Sequence, residues 1–252
     1  MNGTVTTTVE NTIATITFGH PAGNSFPIAL LKRLISAIED VSIDKTISVL
    51  ILQSEGDRAF CGGASFDELL ALNTLEDAIA FFSGFAGVLN AMRTSTKLII
   101  GKVQGKTVGG GVGIIAACDY VIATEAAHVK LSEFTIGIGP FVIAPAVDRK
   151  IGKTALAELT LNALEWKSAQ WALEKGLYTK VVPTLADADK EIAMLSEQLA
   201  VYNIKALRAM KHTLWKGTED WEEMLVYNAE ISARLVLSPY TKNALAKIKN
   251  NK

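Results

Sequence analysis

Two runs of small residues and one carboxylate are the parts of this chain best suited to chemistry. The runs are Ala59-Phe60-Cys61-Gly62-Gly63-Ala64-Ser65-Phe66-Asp67 and Gly109-Gly110-Gly111-Val112-Gly113, and each follows an apolar stretch of strand length, Ile47 to Leu52 and Leu98 to Val103. Glycine permits close approaches and dihedrals that a side chain forbids, and the first residues of a helix carry N–H groups with no intrahelical acceptor. Bare backbone at a strand end therefore suits an anion, and two converging N–H donors would make an oxyanion hole. Taken singly, each run is equally a tight turn that lets a helix pack closely on a sheet. The carboxylate is Glu133. Val129 and Leu131 alternate with Lys130 and Ser132 before it, and Gly137-Ile138-Gly139-Pro140 reads as a tight buried turn after it. A glutamate is ordinarily a surface residue, but in an apolar pocket its pKa rises and it becomes a candidate base.

Other reactive residues read as structural. Gly111-x-Gly113-x-x-Ala116 matches the dinucleotide fingerprint weakly, lies mid-chain, and lacks an acid at the end of a following strand; Asp119 comes too soon, although Glu133 is near the right distance. His20, His128 and His212 have neither metal nor triad spacing, so no metal site is expected, and Ser25, Ser65 and Ser132 lack a G-x-S-x-G context. Cys61 reads as a small packed side chain, Asp119 as structural at the start of a strand, and Lys242, Lys247, Lys249 and Lys252 as a solvated basic tail that could otherwise meet phosphates.

The elements that must position these residues follow from periodicity. Val5, Thr7 and Val9, then Ile13, Thr15 and Thr17, alternate as a hairpin around Glu10-Asn11-Thr12, and Pro27 opens a helix carrying Ile28, Leu31, Leu34, Ile35 and Ile38. Strands are expected over 47–52, 98–103 and 120–123, with helices over 65–72, 75–93 and from the second glycine run to Ala117. Beyond about residue 140 helical periodicity dominates, over 143–147, 154–161, 168–175, 187–201, 204–215 and 221–237, with one strand over 178–182. A mixed α/β core with a helical C-terminal third is the architecture this implies. The 252 residues carry 25 Lys plus Arg against 26 Asp plus Glu, and a net charge of −1 gives no electrostatic case for nucleic acid or an acidic membrane surface. Two cysteines, Cys61 and Cys118, offer no disulfide framework, and Met1 to Glu10 shows no secretory signal; a cytoplasmic location is expected.

The order of these segments resembles the crotonase superfamily, the enoyl-CoA hydratases and isomerases. Asp57 to Leu69 is similar to that family's first oxyanion segment, and Val103-Gln104-Gly105, Gly109-Gly110-Gly111 and Ala117-Cys118-Asp119-Tyr120 resemble the second with its helix and following strand. Leu131-Ser132-Glu133 with Ile136-Gly137 falls where the family carries a catalytic glutamate, and Ile151-Gly152-Lys153 and Ala169 to Val182 resemble its later helices. The resemblance spans nearly the whole chain. It implies a crotonase-like spiral of ββα units, a core over 1–195 continuous with a C-terminal helical trimerisation region over 196–252, and a homotrimer or homohexamer. It further implies that the Ala64 and Gly110 N–H groups hold a thioester oxygen, that Ala22, Ala64, Ser65, Phe66, Asp67, Gly110 and Gly113 border an acyl-CoA, and that Glu133 is the base. Coenzyme A then enters as part of the substrate, with no separate cofactor.

One departure bears on the reaction. Family hydratases carry a second glutamate three residues after the glycine matching Gly110, and that position is Gly113 here. Hydration of a 2-enoyl-CoA usually shares its proton transfers between two carboxylates, whereas moving a double bond from the 3- to the 2-position needs one base that removes and returns a proton. Isomerisation is therefore the expected activity. The alternatives are hydration with Glu133 alone, including of branched methylglutaconyl-type substrates, decarboxylation of an unsaturated acyl thioester, and thioester binding without catalysis.

Overall fold

The computed structural model describes residues 3–250. Thr4–Glu10 (β1) and Ile13–Gly19 (β2) pair antiparallel, with Asn11 in the left-handed region at the turn (φ 55°). Ile28–Ile43 (α1) follows, buried through Leu30, Leu31, Leu34, Ile38 and Val41. Three successive units then have one plan. The first is Val49–Ser54 (β3), Ala59–Cys61 (β4), and the helices Phe66–Ala71 (α2) and Leu75–Thr94 (α3); the second is Leu98–Val103 (β5), Lys106–Val108 (β6) and Gly110–Ala116 (α4). The third is Tyr120–Thr124 (β7), Val129–Lys130 (β8), a 3-10 turn over Glu133–Ile136, and Ala144–Leu161 (α5).

In each unit the first strand joins a six-stranded sheet of order β1-β2-β3-β5-β7-β9 and the second joins a three-stranded sheet of order β4-β6-β8. The chain is thus a spiral of ββα units, as the resemblance implies. The small sheet was not legible from periodicity, because strands of two or three residues are shorter than an alternation needs to declare itself. Beyond the units lie Ala169–Glu174 (α6), Lys180–Val182 (β9), Leu185–Ala200 (α7), Ile204–Leu214 (α8), Trp221–Val236 (α9) and Pro239–Asn250 (α10). The expected helices at 143–147 and 154–161 both form, as two segments within α5 separated at Gly152, which is extended with a positive φ (φ 77°, ψ 161°).

Three features of the packing matter to the site. Helix α3 has the length and hydropathy of a membrane span, but Phe81, Phe82, Phe85, Val88, Leu89 and Met92 are buried, so the core accounts for its apolar character. Helix α9 lays Leu225, Ala229, Ala233 and Val236 into that same core, which ties the C-terminal region to the α/β units. Finally, the segment expected to be a solvated basic tail is helix α10, whose Thr241 and Leu245 are buried and whose Lys242 Nζ donates to the Leu72 carbonyl. Its lysines lie among apolar residues at helical spacing, so one face is buried while Lys247 and Lys249 stay in water. Lys252 lies outside the described residues.

Candidate active site

The first strand-to-helix loop is braced from two sides before it reaches the cavity. The Asn24 side-chain amide donates to the carbonyls of Glu55 and Ala59, 2.8 Å each, and the Gln104 amide donates to Ser54 Oγ at 2.8 Å and to the Gly56 and Ala59 carbonyls at 3.2 Å. A parallel bridge then joins Phe26 to Ala64: the Phe26 N–H donates to the Gly63 carbonyl and the Ser65 N–H to the Phe26 carbonyl. In that pattern the N–H of Ala64 itself points away from Phe26. Ser65 caps α2, its Oγ accepting from the Glu68 N–H.

The second loop turns on Gly109, held at φ 56° with its N–H donating to the Lys130 carbonyl. A residue with a side chain would be strained at that φ, and its Cβ would sit 3.0 Å from Glu133 Oε1. Gly110 is the first residue of α4, so its N–H has no carbonyl one turn earlier to bond. The third unit brings in Glu133 at the start of the 3-10 turn that leads to Gly137.

These pieces meet around one cavity of about 310 Å³, lined by Gly62, Gly63, Ala64, Val108, Gly109, Gly110, Ser132 and Glu133 at one end. The remainder is apolar, formed chiefly by Phe82 and Phe85 of α3, Val142, Ile143 and Ile248 of α10. Glu133 is the only titratable side chain among the described residues that line it. Its Oε2 is buried with no hydrogen-bond partner among the described residues, and burial pushes its pKa up to about 7, against a smaller opposing effect of its own backbone N–H. A carboxyl group of that kind is poised to take and return a proton near neutrality. Ala64 and Gly110 line the same cavity, and backbone N–H donors in an apolar surround are the kind of group that suits a developing oxyanion.

Of the residues proposed from sequence, Ala64, Phe66, Gly110 and Glu133 come together at this cavity. Ala22, Ser65, Asp67 and Gly113 are all outside the cavity lining. Ala22 is exposed, its carbonyl against Gly62; Ser65 is buried as the α2 cap, and Asp67 is exposed on the first turn of α2. Gly113 is buried one turn into α4, and a Cβ there would meet Ile143 Cγ2 at 2.4 Å. Phe82, Phe85 and Ile143 lie in the segments 73–92 and 142–151, on which the sequence makes pocket depth depend, but neither they nor Ile248 are singled out by it, because helical periodicity marks a buried face without separating a cavity wall from solid core.

The other reactive side chains have structural partners. Asp119 is buried, accepting from the Ile99 N–H at 2.7 Å, Lys211 Nζ at 2.8 Å and Trp215 Nε1 at 2.7 Å. Cys61 packs under Gly111, and burial pushes its thiol up to about 12, which removes it as a nucleophile. No group of three or more His, Cys, Asp or Glu side chains suitable for a metal ion occurs among the described residues.

Residues 8–244 match the family model described as enoyl-CoA hydratase/isomerase. The chain belongs to that family, within the crotonase superfamily. It is 29% identical over 214 residues to the 2,3-dehydroadipyl-CoA hydratase of Escherichia coli, covering 83% of this chain and 81% of that one. It is 30% identical over 188 residues to the short-chain-enoyl-CoA hydratase of Clostridium acetobutylicum, covering 73% and 71%. In fold it is similar to the crystal structure of an enoyl-CoA hydratase from Bacillus halodurans, with a TM-score of 0.89 at 22% identity over 96% of this chain and 99% of that one. For this family member, the superposition concerns the fold, and the site rests on the geometry above.

Proposed function

We propose that this enzyme moves the double bond of a 3-enoyl-CoA to the 2-position, with Glu133 as a single proton shuttle. The observation that carries this reading is Glu133 alone: one carboxylate with a pKa raised to about 7, in a cavity whose other described lining residues cannot titrate. The thioester oxygen would be held by the N–H groups of Ala64 and Gly110. The Glu133 carboxylate then takes a proton from C2, and the electron pair of that C–H bond spreads over the thioester oxygen and the adjacent double bond as a dienolate. Returning the same proton to C4 draws the double bond between C2 and C3 and regenerates the carboxylate. The oxyanion donors lower the barrier because charge grows on the oxygen only in the transition state and intermediate. The apolar wall of Phe82, Phe85, Val142, Ile143 and Ile248 would take the acyl chain.

Purified protein given a 3-enoyl-CoA should yield the conjugated absorbance of the 2-enoyl thioester. Glu133→Gln, which keeps the shape and removes the base, should lower kcat on the order of a hundredfold or more. Absence of that absorbance across acyl chain lengths would count decisively against isomerisation. A second reading, hydration with Glu133 acting alone, is favoured by the hydratase names of the relatives. Mass spectrometry of the same reactions separates the two, since hydration gives a water adduct of a 2-enoyl-CoA and isomerisation leaves the mass unchanged.

A further inference from the structure

A second cavity, of about 330 Å³, shares no lining residue with the one around Glu133. It lies between the end of α3 and helix α8, and it is rich in positive charge: Arg93, Arg208 and Lys211 line it with His212, against the single carboxylate of Glu219. Lys211 is already neutralised by Asp119 at 2.8 Å. Glu219 is exposed at the rim and accepts from the Gly217 N–H, so solvent screens its charge.

The two arginines are left without a counter-charge. Arg93 Nε donates to the neutral amide oxygen of Asn90 at 3.0 Å, and neither guanidinium forms an ion pair among the described residues. Arg208 Nε is buried with no hydrogen-bond partner among them. The buried Lys97 adds to the imbalance: its ammonium donates to the Asp44 carbonyl at 2.6 Å, and its pKa is lowered by burial first and then by the positive charge of Arg208. Elsewhere the buried ammonium groups do find carboxylates, as Lys167 does with Glu158 and Glu165. A partly buried guanidinium without a counter-charge is costly, and an anion held in the cavity that its side chain lines offsets that cost.

We propose that this cavity binds a phosphate group, with the guanidinium groups of Arg208 and Arg93 as its principal donors and His212 as a third. Guanidinium donors approaching from two helices fit a tetrahedral dianion better than a planar carboxylate, which one guanidinium can satisfy. The cavity is larger than a phosphate alone, so a phosphate monoester of a small molecule fits the same site. The site is independent of the acyl-CoA reading.

The test is titration of the full chain with inorganic phosphate and then glycerol phosphate, at constant ionic strength, followed by calorimetry or phosphorus NMR. Saturable binding of phosphate is expected, tighter than that of acetate. Arg208→Gln and, separately, Arg93→Gln should each weaken it roughly tenfold or more while leaving the far-UV circular dichroism and the KM for acyl-CoA unchanged. No saturable binding by the unaltered protein, acetate binding as tight as phosphate, or binding retained in both variants would overturn the proposal. So would a parallel rise in the KM for acyl-CoA in both variants, which would place the phosphate at the thioester site.

Discussion

Desolvation sets both the chemistry and the cost of Glu133. Its carboxyl titrates at about 7 in the folded chain against 4.5 unperturbed, so between those values the folded state holds its proton more tightly than the unfolded state does. Stability from this group is therefore complete below about pH 4.5, falls as pH rises through that window, and is lost above about 7, a difference of about 3 kcal/mol. Glu133→Gln should accordingly be more stable than the unaltered protein at pH 8 by up to about that amount and nearly equal to it at pH 4.5, measured by urea unfolding at the two pH values. The rate has the opposite sense. In the proposed isomerisation Glu133 acts ionised, so kcat/KM for a 3-enoyl-CoA should rise with pH to a plateau, with its midpoint near 7. A flat profile from pH 5 to 9 would remove Glu133 from the proton transfer.

At the level of elements, the ββα repeat explains why distant residues share one cavity. The chain end of each short strand β4, β6 and β8 lies beside the next across the three-stranded sheet, and Ala64, Gly110 and Glu133 each follow one of those strands by two or three residues. Helix α4 is fixed at its far end by Asp119, whose carboxylate ties the start of β7 to β5 and α8. The same element decides what the glycine at 113 means. Its missing side chain does not leave an open place in the cavity, because Ile143 at the start of α5 packs against it. Gly113→Glu alone should therefore destabilise the protein, by ~1–3 kcal/mol for overpacking, without conferring hydration. Gly113→Glu with Ile143→Ala gives the new carboxylate room, and water addition to a 2-enoyl-CoA should rise relative to the single variant. Thermal unfolding and the mass-resolved assay check the two halves of this expectation.

For the whole molecule, the C-terminal helices have two apolar faces. One joins the core through α9, while Met210, Leu214, Val226 and Tyr227 stand exposed at 52%, 44%, 54% and 66%. Large apolar side chains left exposed on helices are a common mark of a contact between subunits. This supports the trimer or paired trimer that the family resemblance implies. Light scattering should give three or six times the 27.0 kDa chain mass, and a monomer at micromolar concentration would exclude that assembly.

The sequence by itself determined the parts that depend on local pattern. Alternation gave the hairpin β1–β2, apolar runs gave β3, β5 and β7, and the helices of the C-terminal third up to α9 were legible from their 3.6-residue period, whereas α10 was not. Glycine runs at strand ends pointed to two loops of bare backbone suited to an anion, and the family resemblance singled out Ala64 and Gly110 within them. Tertiary structure alone decided what those residues face. The three short strands become a sheet only when brought together, and α10 became a cavity wall because Ile248 meets residues more than a hundred positions earlier. Gly113 looked like an absence in the sequence and is a packing contact in the fold. Likewise Arg208 was one arginine on a periodic helix until burial left its Nε without an acceptor among the described residues. Periodicity records which face of an element is apolar, whereas desolvation of a particular atom depends on neighbours that only the folded chain supplies.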